Sequence, residues 1–204
     1  MARSDTLPRS FFERPVLEVA PDLLGAVFVH GPVAVRLTEV EAYDGAEDPA
    51  SHAFRGLTPR TAVMFGPPGH LYVYFTYGMH HCVNLVCGPD GTASAVLLRA
   101  GEVVAGLGVA RAYRPGITRD PALARGPANL VRALGLGPQH NGLDVIGRGP
   151  VRIRAGNADQ PEIRTGPRVG VSTGATRPWR FWLEGDPSVS AYRPGTRKRS
   201  GGSR

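Results

Sequence analysis

The chain has 204 residues and 42% apolar content, enough for one domain with a buried core. A net charge of +7 and a pI near 10.1 favour a polyanionic partner, and no apolar run is long enough to span a bilayer. The N-terminus lacks the apolar segment of a secretory signal, and the only cysteines, Cys82 and Cys87, cannot build a disulfide framework, so a reduced cytoplasmic setting is expected, with both thiols buried.

In chain order, residues 1–10 read as a loose leader and 193–204 (RPGTRKRSGGSR) as a disordered basic tail, which leaves 11–192 as the folded domain. Pro21 to Gly25 reads as a short helix opened by proline and closed by glycine, followed by a strand from Ala26 to His30. Val33 to Tyr43 is rich in β-branched residues and bounded by Gly-Pro and Asp-Gly, which predicts a strand; a period of two puts Leu37, Glu39, Glu41 and Tyr43 on one face. Asp44 to His70 should be mostly loop. Leu71 to Thr76 and His80 to Cys87 form a predicted hairpin around Tyr77-Gly78-Met79, with Tyr77 at its tip.

A third strand, Ala93 to Arg99, leads into a predicted helix from Glu102 to Tyr113, and a second helix starts at Pro127 and runs to about Leu134. Arg168 to Ser172 and Trp179 to Leu183 read as two further strands. Strands outnumber helices without βαβ alternation, so the expected class is α+β: one domain, a mostly antiparallel sheet core surrounded by helices, and a protruding hairpin.

Charge is unevenly placed. Five of the 17 carboxylates, Glu39, Glu41, Asp44, Glu47 and Asp48, fall within ten residues of an otherwise basic chain. Such a cluster can be a solvated loop or a place where chemistry needs a carboxylate beside a polyanion. With His52, the residues Glu39, Glu41, Asp44 and Asp48 would also supply oxygen ligands for the Mg²⁺ of a divalent-metal nuclease. A non-catalytic DNA-binding protein could use the same basic surface.

Four blocks between Phe11 and Ser190 narrow these options. The first is Thr38-Glu39-Val40-Glu41-Ala42-Tyr43, continuing to Glu47-Asp48 and His52; the second is Met64-Phe65-Gly66 through Pro68-Gly69-His70-Leu71-Tyr72-Val73-Tyr74-Phe75-Thr76-Tyr77-Gly78-Met79 to Asn84. The third is Ala95-Val96-Leu97-Leu98-Arg99-Ala100, and the fourth joins Gly126-Pro127 and Leu130 to Arg168-Val169-Gly170-Val171 and Pro178-Trp179-Arg180-Phe181. In this order and spacing the chain resembles the alkyladenine (3-methyladenine, methylpurine) DNA glycosylase family.

The resemblance implies a hydrolase that flips an alkylated or deaminated purine out of duplex DNA, of the 3-methyladenine, 7-methylguanine, hypoxanthine or ethenoadenine type. A glutamate-activated water then cuts the N-glycosylic bond and leaves an abasic site. Glu41 is the implied general base, and Arg99 helps to position the water and the target phosphate. Tyr43, His52 and Tyr74 wall the base pocket, Asn84 screens out guanine, and Tyr77 is the wedge inserted into DNA. No cofactor or metal is implied. The implied partner is damaged duplex DNA, the implied state a monomer, and the implied location the cytoplasm, at the nucleoid in a bacterium.

These roles suit their residue types. Extruding a base costs a few kcal/mol, an aromatic wedge can hold the gap, and stacking on aromatic faces is worth about 1–3 kcal/mol per base. A carboxylate can both stabilise an oxocarbenium-like sugar and take water's proton. Glu39 is the rival for that task. A β-lyase would need an amine, and the only lysine is Lys198 in the tail, so strand cleavage is not expected.

Overall fold

The first long helix is set by apolar spacing. Val16, Val19, Ala20 and Leu23 are all buried, at i, i+3, i+4 and i+7. The computed structural model describes residues 6–76, 78–147, 149–156 and 161–195. It places α1 at Arg9–Phe12 and α2 at Val16–Asp22. The predicted helix opened by Pro21 is therefore corrected: Pro21 sits in the last turn, where its missing N–H removes one bond, and Pro15 precedes the first turn. Within the expected leader, Thr6 bridges to Arg154 and the Leu7 N–H donates to the Ile153 carbonyl, 2.8 Å.

The strands are β1 (Val27–His30), β2 (Val33–Asp44), β3 (Leu71–Thr76), β4 (His80–Cys87), β5 (Ser94–Ala105), β6 (Ala124–Arg125), β7 (Val151–Arg154), β8 (Ile163–Gly166) and β9 (Arg180–Leu183). Among the described residues every ladder is antiparallel, in the order β3-β4-β5-β2-β1-β7, with β6 on β5 and the β8–β9 pair on β2. The helices α3 (Leu107–Tyr113) and α4 (Pro127–Ala133) complete an α+β single domain. β2 organises the sheet. It carries β5 along one edge, while its other edge is shared between β1, at Val33 to Arg36, and β9, at Glu39 to Glu41, which curls the sheet.

The β2–β5 ladder is irregular where the chemistry lies. Leu37 pairs with Gly101, Glu39 with Ala100 and Val40 with Leu98, so Thr38 and Arg99 are each an extra residue without a partner across the ladder. Bulges of this kind re-aim side chains. Leu37 and Val40 both join the core with Ala42, so the strict period of two that grouped Leu37 with Glu39, Glu41 and Tyr43 fails at Thr38.

One face of the sheet packs under α2 and α4, in a continuous core that includes Val19, Leu23, Phe28, Leu37, Leu98 and Leu130. The other face carries a smaller cluster of Ala53, Met64, Tyr72, Val86, Ala93 and Ala95, against which Phe65 and Tyr74 pack. Residues 45–70 cover that second face as loop with three single 3-10 turns. Cys82 and Cys87 are buried free thiols on β4.

Two further expectations are corrected. The helix predicted from Glu102 begins only at Leu107, because β5 continues along β2 to Ala105. Gly106 makes the turn between them at φ +70°, where a Cβ would stand 2.3 Å from the Pro32 carbonyl oxygen. Arg168 to Ser172 is loop, and the strand lies just before it as β8. The Val169 N–H is engaged by a carboxylate instead of a neighbouring strand.

Candidate active site

Adjacent bulges bring two carboxylates and one arginine together. Glu39, Glu41 and Arg99 are all buried, and the Arg99 guanidinium pairs with both acids: Nε lies 2.7 Å from Glu39 Oε1, and Nη1 3.3 Å from Glu41 Oε1. The two acids differ in everything else they touch. Glu39 also accepts from Arg180 Nε at 2.8 Å, the Ser190 N–H at 2.7 Å and the Ser190 hydroxyl at 2.9 Å. Burial pushes its pKa up, but Arg99, Arg180 and the Ser190 N–H outweigh burial and hold it below the ordinary value. Such a saturated carboxylate is a structural anchor for β9 and the 188–190 segment.

Glu41 is less fully paired. It accepts from the Val169 N–H at 2.7 Å and the Tyr43 hydroxyl at 2.9 Å, besides the longer contact with Arg99. Here burial dominates and raises the pKa, against the opposing pull of Arg99, the Val169 N–H and the Tyr43 hydroxyl. A carboxylate has about four acceptor positions. Glu41 therefore keeps acceptor capacity for a further donor, and its raised basicity suits proton abstraction.

Through the Tyr43 hydroxyl Glu41 is linked to a pocket lined by Tyr43, Ala50, Ser51, His52, Met64, Tyr72, Tyr74 and Asn84. Four residues expected in a base pocket, Tyr43, His52, Tyr74 and Asn84, are thus brought together by β2, the 45–70 segment and the β3–β4 hairpin. His52 meets the Tyr74 ring edge-on at 4.5 Å and its Nδ1 lies 3.1 Å from the Tyr72 hydroxyl. Burial and the charge of Arg60 lower the His52 pKa, which favours a neutral ring. Tyr74 stacks with Tyr72 at 5.3 Å, and burial raises the pKa of both Tyr74 and Tyr43. Asn84 is buried on β4 and its side-chain amide donates to the Tyr72 carbonyl at 3.0 Å. The wedge candidate Tyr77 lies outside the described residues; its strands β3 and β4 close at Thr76 opposite His80.

Sequence reasoning missed the frame of the pocket. Arg168, almost fully buried, forms a bidentate pair with the buried Asp48 and donates to the Ala42 carbonyl at 2.8 Å. Its guanidinium also lies over the rings of Tyr43, at 4.5 Å, and Trp179, at 5.2 Å. One side chain thus ties the 45–70 segment, β2 and the 167–179 loop together behind Tyr43. Asp44, another member of the acidic cluster, accepts from the Ser94 hydroxyl at 2.7 Å. Glu39, Asp44 and Asp48 are thereby drawn to separate partners, and among the described residues no three His, Cys, Asp or Glu side chains converge as a metal site.

The family model described as methylpurine-DNA glycosylase matches residues 10–187. A protein of Streptomyces avermitilis with the printed name "Putative 3-methyladenine DNA glycosylase" is 56% identical over 95% of this chain and 94% of its own length. Proteins of the same printed name from Frankia casuarinae, 53% identical over 93% of this chain and 94% of their own, and Cutibacterium acnes, 55% identical over 88% and 96%, extend the match. A family match over most of the chain and relatives more than half identical along nearly their whole length lead to one conclusion: the chain belongs to the methylpurine-DNA glycosylase family.

Proposed function

We propose that the protein is a monofunctional glycosylase that binds duplex DNA, takes a damaged purine into the Tyr43–His52–Tyr74 pocket and hydrolyses its N-glycosylic bond. The observation that carries this reading is the contrast between Glu39, saturated and held acidic, and Glu41, buried, raised and linked to the pocket through Tyr43. In this reading Glu41 takes the proton of the attacking water and stabilises the oxocarbenium-like sugar, and Arg99 holds Glu41 in place and faces the target phosphate. Tyr77 acts as the wedge. Its neighbours Phe75 and Met79, 52% and 71% exposed, give the hairpin end the apolar surface that inserting into a base stack requires. The protein acts as a monomer in the cytoplasm.

The direction of the Glu41 shift gives a pH test. The base must be ionised to work, and burial raises its pKa from the ordinary 4.5. Activity is therefore lost as pH falls through the raised value. With 7-methylguanine, which already carries positive charge and needs no acid, single-turnover excision should show an acid limb with its midpoint above pH 4.5. A rate that stays flat down to that pH would remove Glu41 from the base role.

Asn84 is read as the guanine screen. Its amide is fixed by the Tyr72 carbonyl on the pocket wall, where it would clash with the 2-amino group that guanine has and hypoxanthine lacks. Asn84→Ser should raise excision of undamaged guanine relative to hypoxanthine by about tenfold, with little change in melting temperature. A constant ratio with a sharply lower melting temperature would make Asn84 a structural amide only.

A further inference from the structure

Arg60 stands at the rim of the pocket, outside every role assigned so far. Its guanidinium lies 5.4 Å from the centroid of the Tyr74 ring. Its charge also lowers the pKa of His52 and opposes the rise that burial gives the Tyr72 hydroxyl. Tyr72, Tyr74 and His52 are all wall residues of the base pocket. Arg99, Arg168 and Arg180 are neutralised by buried carboxylates. Arg60 is exposed, and among the described residues no carboxylate forms an ion pair with it.

We propose that Arg60 is a specificity-determining residue whose charge at the pocket rim favours neutral purine lesions over cationic ones. The proposal rests on the glycosylase reading of the same pocket. When neutral hypoxanthine leaves, the C1′–N9 bond breaks and its electron pair goes to the base, which becomes anionic. A C1′–O bond forms from water, water's proton passes to Glu41, and a proton returns to the base on release. A guanidinium against the pocket wall stabilises that developing anion by its charge. In 7-methylguanine the ring is cationic before reaction, and the same electron pair makes it neutral. A fixed cation opposes entry of this base and has no developing anion to stabilise. A unit charge set against the Tyr74 wall, roughly 8–10 Å from the base in a partly solvated site, changes such a preference by a few fold to about tenfold.

The test is single-turnover excision from duplexes carrying one hypoxanthine or one 7-methylguanine, by wild type, Arg60→Gln and Arg60→Lys, with melting curves as a control. Arg60→Gln should lower the hypoxanthine to 7-methylguanine rate ratio by several fold to about tenfold. Arg60→Lys keeps the charge but not the planar fork, and should stay within about threefold of wild type. A ratio that Arg60→Gln leaves unchanged, or one that Arg60→Lys lowers equally, overturns the proposal. If wild type released neither base, the glycosylase reading would fail by itself. Arg60 would still be tested by following the His52 ring signals during titration with inosine and with cationic 7-methylguanosine. Arg60→Gln should then tighten the cation relative to inosine by about fivefold, and equal changes for both nucleosides would again overturn it.

Discussion

Glu41→Gln is expected to cut single-turnover excision by at least about 10³-fold while leaving lesion-duplex affinity within a few fold. The substitution keeps the shape of the side chain and an oxygen for the Val169 N–H, 2.7 Å away in the wild type. It removes the proton acceptor, a contribution of about 10²–10⁴-fold for a general base, and also the negative charge beside the sugar. The fold should survive, because burial opposes the charge that is lost. Glu39→Gln is the informative partner. Glu39 is an anchor for Arg99, Arg180 and Ser190, so this variant should lose stability and retain measurable excision. The reverse pattern would transfer the base role to Glu39.

The second large effect is on stability. Asp48→Ala leaves the Arg168 guanidinium buried without its counter-charge, and stranding one member of a buried pair costs about 3–5 kcal/mol. In a chain of 204 residues that corresponds to a melting temperature lower by on the order of 10 °C. Removing both charges as Asp48→Ala with Arg168→Met should be milder than Asp48→Ala alone, since no charge is then stranded. The single variant should also slow excision, because Arg168 backs the Tyr43 ring at 4.5 Å. A loss below about 1 kcal/mol for Asp48→Ala would mean that the pair is solvated and does not frame the pocket.

The parts of the site that were legible in the sequence are those carried by local pattern. Glu41 and Tyr43 sit two apart on one strand, and the Tyr43 hydroxyl reaches Glu41 as that spacing implies. The β3–β4 hairpin follows from two strand-like runs around a three-residue turn. What was not legible depends on long-range geometry. The bulges at Thr38 and Arg99 have no sequence mark, yet they decide that Leu37 faces the core and that Arg99 reaches both acids. Asp48 and Arg168 are 120 residues apart, and although Arg168 and Arg180 stand in the fourth block, nothing in it marks them as the buried partners of Asp48 and Glu39. The ranking of Glu41 over Glu39 came from the resemblance; the number of donors around each acid is a separate physical reason for it. The helix expected from Glu102 shows the opposite failure, since local propensity there yields to the pairing of β5 along β2.

The most direct test of the central claim is release of free base from a duplex carrying one 7-methylguanine, incubated with an excess of the protein in EDTA. The reading of Glu41 and its pocket predicts free 7-methylguanine in equal amount to abasic sites, with strands intact until alkali is added. No free base, or strand breaks that appear only when a divalent metal is restored, would contradict it.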